Sequence, residues 1–185
     1  MYHTILMAVA LQQWEQYSAH ALAAREVAAA IARGASKRLN VLSLYTHENV
    51  DTSGLSADLA SRHREDMMLR TQKLMEQKME EYIAPLKQEG LDVITTVQVG
   101  NPREDIVGTA ADLEADLLII GSHSKRGFLD IALGGTAQHV SRHAPCPVVF
   151  VSPKYSRFAH FFRSSQNFNT LNAWGLYDYP ILEES

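Results

Sequence analysis

The run Ala115-Asp116-Leu117-Leu118-Ile119-Ile120 is apolar at every position but one, and it gives way at once to Gly121–Thr136, GSHSKRGFLDIALGGT. The stretch AQHVSRHA follows, with Ala137, Val140 and Ala144 at helical spacing. The order is strand, glycine-punctuated loop, helix. In a parallel α/β sheet such a loop lies at the carboxyl end of a strand, and the helix after it aims unpaired backbone N–H groups and a positive dipole end at the crevice. An anion is the ligand expected there. Taken singly, Gly121, Gly127, Gly134 and Gly135 read as turn residues supplying positive φ.

The rest of the chain repeats the alternation. Thr4–Ala10 is a continuous apolar run, as a central strand covered on both faces requires. An alanine-rich helix from about Glu15 to Ala35 carries the stripe Ala24, Val27, Ala28, Ile31, and Gly34 is placed to stop it. Leu39–Tyr45 is the second strand, and polar residues from His47 to Ala57 form a loop. Within Asp58–Glu89 the positions Met68, Thr71, Met75, Met79, Tyr82 and Leu86 make one helical face, on which methionine reads as adaptable core filler rather than a soft metal site. Pro85 is expected to end or kink this helix in its last turn, and Gly90 to close it. Leu91–Val99 alternates as a third strand with one partly exposed face. Asn101-Pro102-Arg103-Glu104 is a helix start: Asn caps, Pro suits the first turn and Glu answers the cap, with Ile106, Ala110 and Leu113 facing inward. A fifth strand, Pro147–Val151, begins at a proline that suits a strand start or a sheet edge. The pattern βαβαβαβαβ, with right-handed crossovers, is a single doubly wound, five-stranded parallel sheet with helices on both faces.

Composition excludes several classes. With 185 residues, 46% hydrophobic and 21% charged, the chain suits one globular domain plus an appendage. A formal charge of -4 and a pI near 6.0, with no basic run, give no footprint for nucleic acid. The single cysteine, Cys146, rules out an internal disulfide and a cysteine-rich zinc site. The eight histidines show no metal pair; His139 and His143, four apart, read as surface residues near a helix end. Residues Met1–Ala10 have no basic n-region or cleavage site, and no apolar run approaches the roughly 20 residues that cross a bilayer. A cytoplasmic chain without membrane contact is the expectation.

The segments MYHTILMAVA, VGNPREDIVGTAADLEADLLIIG and GSHSKRGFLDIALGGTAQHVSRHAPCPVVFV together resemble the universal stress protein family over residues 1–152. The resemblance implies a sheet of order 3-2-1-4-5 and, in the ATP-binding branch, the pattern Gly-x-x-Gly-x9-Gly-Ser/Thr at this loop. It implies an adenine-nucleotide ligand, ATP accompanied by Mg²⁺, with Gly121, Ser124, Lys125, Gly134, Gly135 and Thr136 near the phosphates and Val41 and Ile120 flanking the base. It also implies a homodimer paired through the edge residues Val148, Val149, Phe150 and Val151.

Three positions depart from the family pattern. The first strand of the family usually ends in Val-Asp, whose carboxylate takes the ribose hydroxyls; this chain has Val9-Ala10. Losing that charge-assisted bond weakens a nucleotide by about 1.5–3 kcal/mol. Ser124 stands at the second glycine, where a required positive φ would cost about 1–2 kcal/mol, although its hydroxyl could donate to a phosphate. Gly134-Gly135-Thr136 replaces Gly-Ser/Thr, so the hydroxyl has moved one residue on while the backbone N–H groups remain.

Residues 153–185 lie outside the resemblance and hold Tyr155, Phe158, Phe161, Phe162, Phe168, Trp174, Tyr177 and Tyr179, more than half of the chain's aromatic residues. Disordered tails are poor in aromatics, so this extension is expected to dock, on a partner subunit first, with its own sheet edge, another protein and, distantly, a membrane surface as alternatives. No catalytic constellation is present: Ser122-His123-Ser124 has no carboxylate placed to orient the imidazole. Two readings follow. One is a nucleotide-binding stress regulator with at most slow ATP hydrolysis; the other is a dimeric scaffold that acts through its extension without nucleotide.

Overall fold

A computed structural model of the chain describes residues 2–11, 17–35, 38–46, 56–121 and 134–152. Five parallel strands, β1 (Ile5–Ala8), β2 (Arg38–Tyr45), β3 (Asp92–Val99), β4 (Leu117–Gly121) and β5 (Val148–Val151), form one sheet in the order β3-β2-β1-β4-β5. Helices α1 (Ala19–Gly34), α2 (Ala57–Gln88), α3 (Pro102–Asp112) and α4 (Gly135–His143) connect them. The central strand β1 pairs on both sides, Ala8 standing level with Leu42 of β2 and Ile120 of β4.

The apolar runs become strands because both of their faces are covered. Ile5, Met7, Leu39, Val41, Leu117 and Ile119 pack with the alanines of α1 and with Met79, Tyr82 and Leu86 of α2. On the other face Leu6, Ala8, Leu42, Leu44, Leu118 and Ile120 meet Ile106 and Ala110 of α3 and Val140 of α4. Tyr82 fastens the first layer. It is fully buried, its hydroxyl donates to the Ala21 carbonyl at 2.6 Å, and Arg25 donates to the Tyr82 carbonyl at 3.0 Å while lying over the ring. Burial pushes the Tyr82 hydroxyl pKa upward, so the group stays a neutral donor.

The elements depart from the sequence expectations at their ends. β1 stops at Ala8, two residues before Ala10; Val9 still donates to the Leu42 carbonyl at 2.9 Å. α1 begins at Ala19, because Ser18 caps it by accepting from Ala21 N at 3.1 Å; the expected start at Glu15 lies outside the described residues. Pro85 stands in the last turn of α2, which ends at Gln88. A proline in the last turn forgoes one hydrogen bond, and the chain leaves the helix just beyond, through Gly90 at φ +79°. On α2 the inward face holds at Met75, Met79, Tyr82 and Leu86, but Met68 is 47% exposed. Leu113 is likewise exposed, lying past the last inward turn of α3. Among the described residues no helix is long and apolar enough to cross a membrane.

Candidate functional site

A cavity of about 300 Å³ opens at the carboxyl ends of β1, β2 and β4, the point where the sheet order reverses. Its size falls at the lower end of the range of roughly 300–1,000 Å³ usual for small-molecule sites. Ala8, Leu42, Leu44, Ile106 and Ile120 give it an apolar floor. Val9, Ala10, Ser18, His20, Ala21 and Ala24 form the wall contributed by β1 and α1, and Pro102 marks the start of α3. Gly134, Gly135, Thr136 and Ala137, the first turn of α4, complete the described lining.

Ser18, His20 and Thr136 bring polar side chains to the lining, and helix ends bring backbone N–H groups. Three helix N-termini meet here. In α1 the Ser18 hydroxyl occupies Ala21 N, and in α3 the Asn101 side chain accepts from Arg103 N at 3.1 Å while Asp105 takes Asn101 N at 2.7 Å. The cap of α4 is Gly134, which has no side chain to offer, and no acidic residue stands in the first turn. The free N–H groups and the positive dipole end of α4 therefore remain available to a bound anion. No carboxylate appears among the described lining residues.

Gly121 shows why glycine is needed where β4 ends. A Cβ there would stand 3.1 Å from the His20 carbonyl oxygen and 3.3 Å from its carbon, so α1 comes so close to β4 that a side chain would meet backbone. The glycine serves close approach; among the described glycines only Gly90 adopts positive φ.

Of the residues singled out from the sequence, Ala10, Ile120, Gly121, Gly134, Gly135 and Thr136 are brought together on this cavity. Val41 is not. Its side chain is buried on the opposite face of the sheet with α1 and α2, and strand two presents Leu42 and Leu44 to the cavity instead. β2 is buried along nearly its whole length, so no polar-apolar alternation in the sequence revealed which residues faced which way. Ser124 and Lys125 lie outside the described residues. Sequence reading missed Ser18, His20 and Ile106 as lining residues; only the Ser at a helix start was a usable signal. His139 and His143 stack at 4.1 Å near the end of α4, the His143 ring nitrogen bonding the His139 carbonyl. Among the described residues no group of three or more His, Cys, Asp or Glu could hold a metal ion.

The geometry can be set beside known proteins. The universal stress protein MJ0577 of Methanocaldococcus jannaschii is 37% identical over 79 residues, 43% of this chain and 49% of that protein. The universal stress protein MJ0531 of the same organism is 37% identical over 62 residues, 34% of this chain and 36% of that protein. The alignments thus span half or less of each relative. The solved structure of MJ0577 matches with a TM-score of 0.61 at 24% identity, over 82% of this chain and 96% of that one. A universal stress protein solved in complex with cAMP matches with a TM-score of 0.50 at 21% identity, over 82% and 98%. At these identities the likeness is one of fold. A family model described as the universal stress protein family covers residues 1–152, and with the sheet order and the glycine-bounded cavity at its switch point, the chain belongs to the universal stress protein family.

Proposed function

We propose that this chain is a stress-response regulator that binds an adenine nucleotide, ATP in the first place, in the cavity between β1, β2, β4 and the start of α4. The observation that carries the reading is the joining of two surfaces in one cavity: an apolar floor suited to a base, and an uncapped helix N-terminus suited to phosphate. Leu42, Leu44, Ile106 and Ile120 bury the base, and the N–H groups of Gly135 and Thr136 with the Thr136 hydroxyl receive phosphate oxygens. The cAMP bound by one fold relative supports a ligand of this class. Mg²⁺ enters with the phosphates, since the described lining offers it no carboxylate. The half-buried Cys146, the chain's single cysteine, suits the reducing cytoplasm.

Ala10 gives the scaffold reading its own footing. It lines the cavity where the family pattern has a carboxylate for ribose, so the missing acceptor is missing at the site itself. Calorimetry on nucleotide-stripped protein decides between the two. ATP with Mg²⁺ at millimolar concentration is expected to release heat, and Ala10→Asp is expected to tighten binding by about tenfold or more. Silence with ATP in both proteins would leave a scaffold without nucleotide.

A further inference from the structure

Arg103, in the first turn of α3, reaches across to the first turn of α4. A Cβ built on Gly135 would stand 2.8 Å from the Arg103 Nη2, 3.6 Å from Cζ and 3.7 Å from Nε. The space that a side chain at position 135 would take is therefore filled by a guanidinium from the neighbouring helix. Arg103 is exposed and forms no ion pair among the described residues; its backbone N–H alone is engaged, by Asn101. Arg103 does not itself line the cavity, but Pro102 and Gly135, on either side of the contact, both do.

Glu104 and Asp105 share this first turn of α3, but neither forms an ion pair with Arg103 among the described residues. A cation rests against the positive end of α4, and no carboxylate in the described lining stands between them. Two like-signed partners repel weakly when alone, and both gain when an anion is held between them. A guanidinium fork also matches phosphate oxygens in a way that a backbone N–H cannot, because it offers two parallel donors.

We infer that Arg103 is the phosphate-specificity residue of this site. Its guanidinium donates to the phosphate group that the α4 N–H groups hold, and so supplies from α3 the donor that the family pattern places in the side chain at position 135. Gly135 is the complementary half of the arrangement, because any side chain there would displace the guanidinium. The inference rests on the nucleotide reading above and deepens it: the site selects phosphorylated over unphosphorylated adenosine, and Arg103 sets that preference.

The test compares ATP with adenosine by titration calorimetry on the full chain, in the wild type, Arg103→Gln and Arg103→Lys. Arg103→Gln is expected to weaken ATP by about tenfold or more and to leave adenosine unchanged, the loss of one charge-assisted contact. Arg103→Lys, which keeps the charge without the fork, is expected to recover part of the ATP affinity. Equal weakening of ATP and adenosine would make Arg103 merely structural and overturn the inference. ATP bound equally by wild type and Arg103→Gln would overturn it too, while the nucleotide reading stood. A wild type that bound no ATP would remove both.

Discussion

Asp116, at the foot of β4, accepts hydrogen bonds from Thr4 N at 2.8 Å and His3 N at 2.7 Å, and its own N–H donates to the Thr4 carbonyl. The Thr4 bond first, and the His3 bond after it, hold this carboxyl below its ordinary value of 3.8. A depressed folded-state pKa stabilises the fold fully above that ordinary value and is lost as pH falls through the lower one. The expected outcome is that melting temperatures measured from pH 6 down to about pH 2.5 fall less steeply below about pH 4 in Asp116→Asn than in the wild type. An unchanged slope would mean that other carboxylates govern the acid limb. The same residue shows what was legible one position at a time. Asp116 read only as the exception in an apolar run, since its partners lie more than a hundred residues away. Arg103 was equally silent, because a helix-start signal says nothing about a glycine on another helix. Gly121, Gly134 and Gly135 line the cavity, and the close approaches at Gly121 and Gly135 left no local mark in the sequence.

At the scale of elements, all five strands and four helices could be placed from periodicity and end signals, with errors confined to ends and faces. The reasons are physical. β3 alternates between exposed and half-covered residues, with α2 packed on it, so its periodicity carries orientation. β2 is covered on both sides, so its sequence carries none: Val41 turns to the α1 and α2 face, and its neighbour Leu42 to the cavity. The α2 stripe was read two turns too far toward its start, because helical spacing continues in sequence whether or not a sheet lies beneath it. In α1 the alanines that suggested a helix also explain its packing: Ala24, Ala28 and Ala32 are buried to 1% or less and let the helix lie close on β1 and β4.

For the whole molecule the open question is what covers the last strand. β5 pairs with β4 alone, and its residues Val148, Val149 and Phe150 are half-buried. We propose that two copies pair antiparallel through Val148–Val151 about a two-fold axis, which would satisfy both edges at once. The aromatic extension that follows lies outside the described residues. Sedimentation is expected to give a dimer at micromolar concentration and a monomer for Val149→Lys; an indifferent dimer would refute the pairing. The other edge of the fold carries a different consequence. α2 has 32 residues, about 48 Å at 1.5 Å per residue, against roughly 26 Å for the eight-residue strand β3 on which it packs. From Ala57 to Leu74 only Ala60 is buried, and the helix is braced there by its own ladder of pairs, Asp58 with Arg62 and Asp66 with Arg70. Opening that half exposes almost nothing new to water, so it needs no global unfolding. One continuous helix should therefore carry two clocks: amide hydrogens up to about Leu74 exchanging with solvent deuterium rapidly, and those from Met75 to Leu86 only as slowly as the core itself gives way.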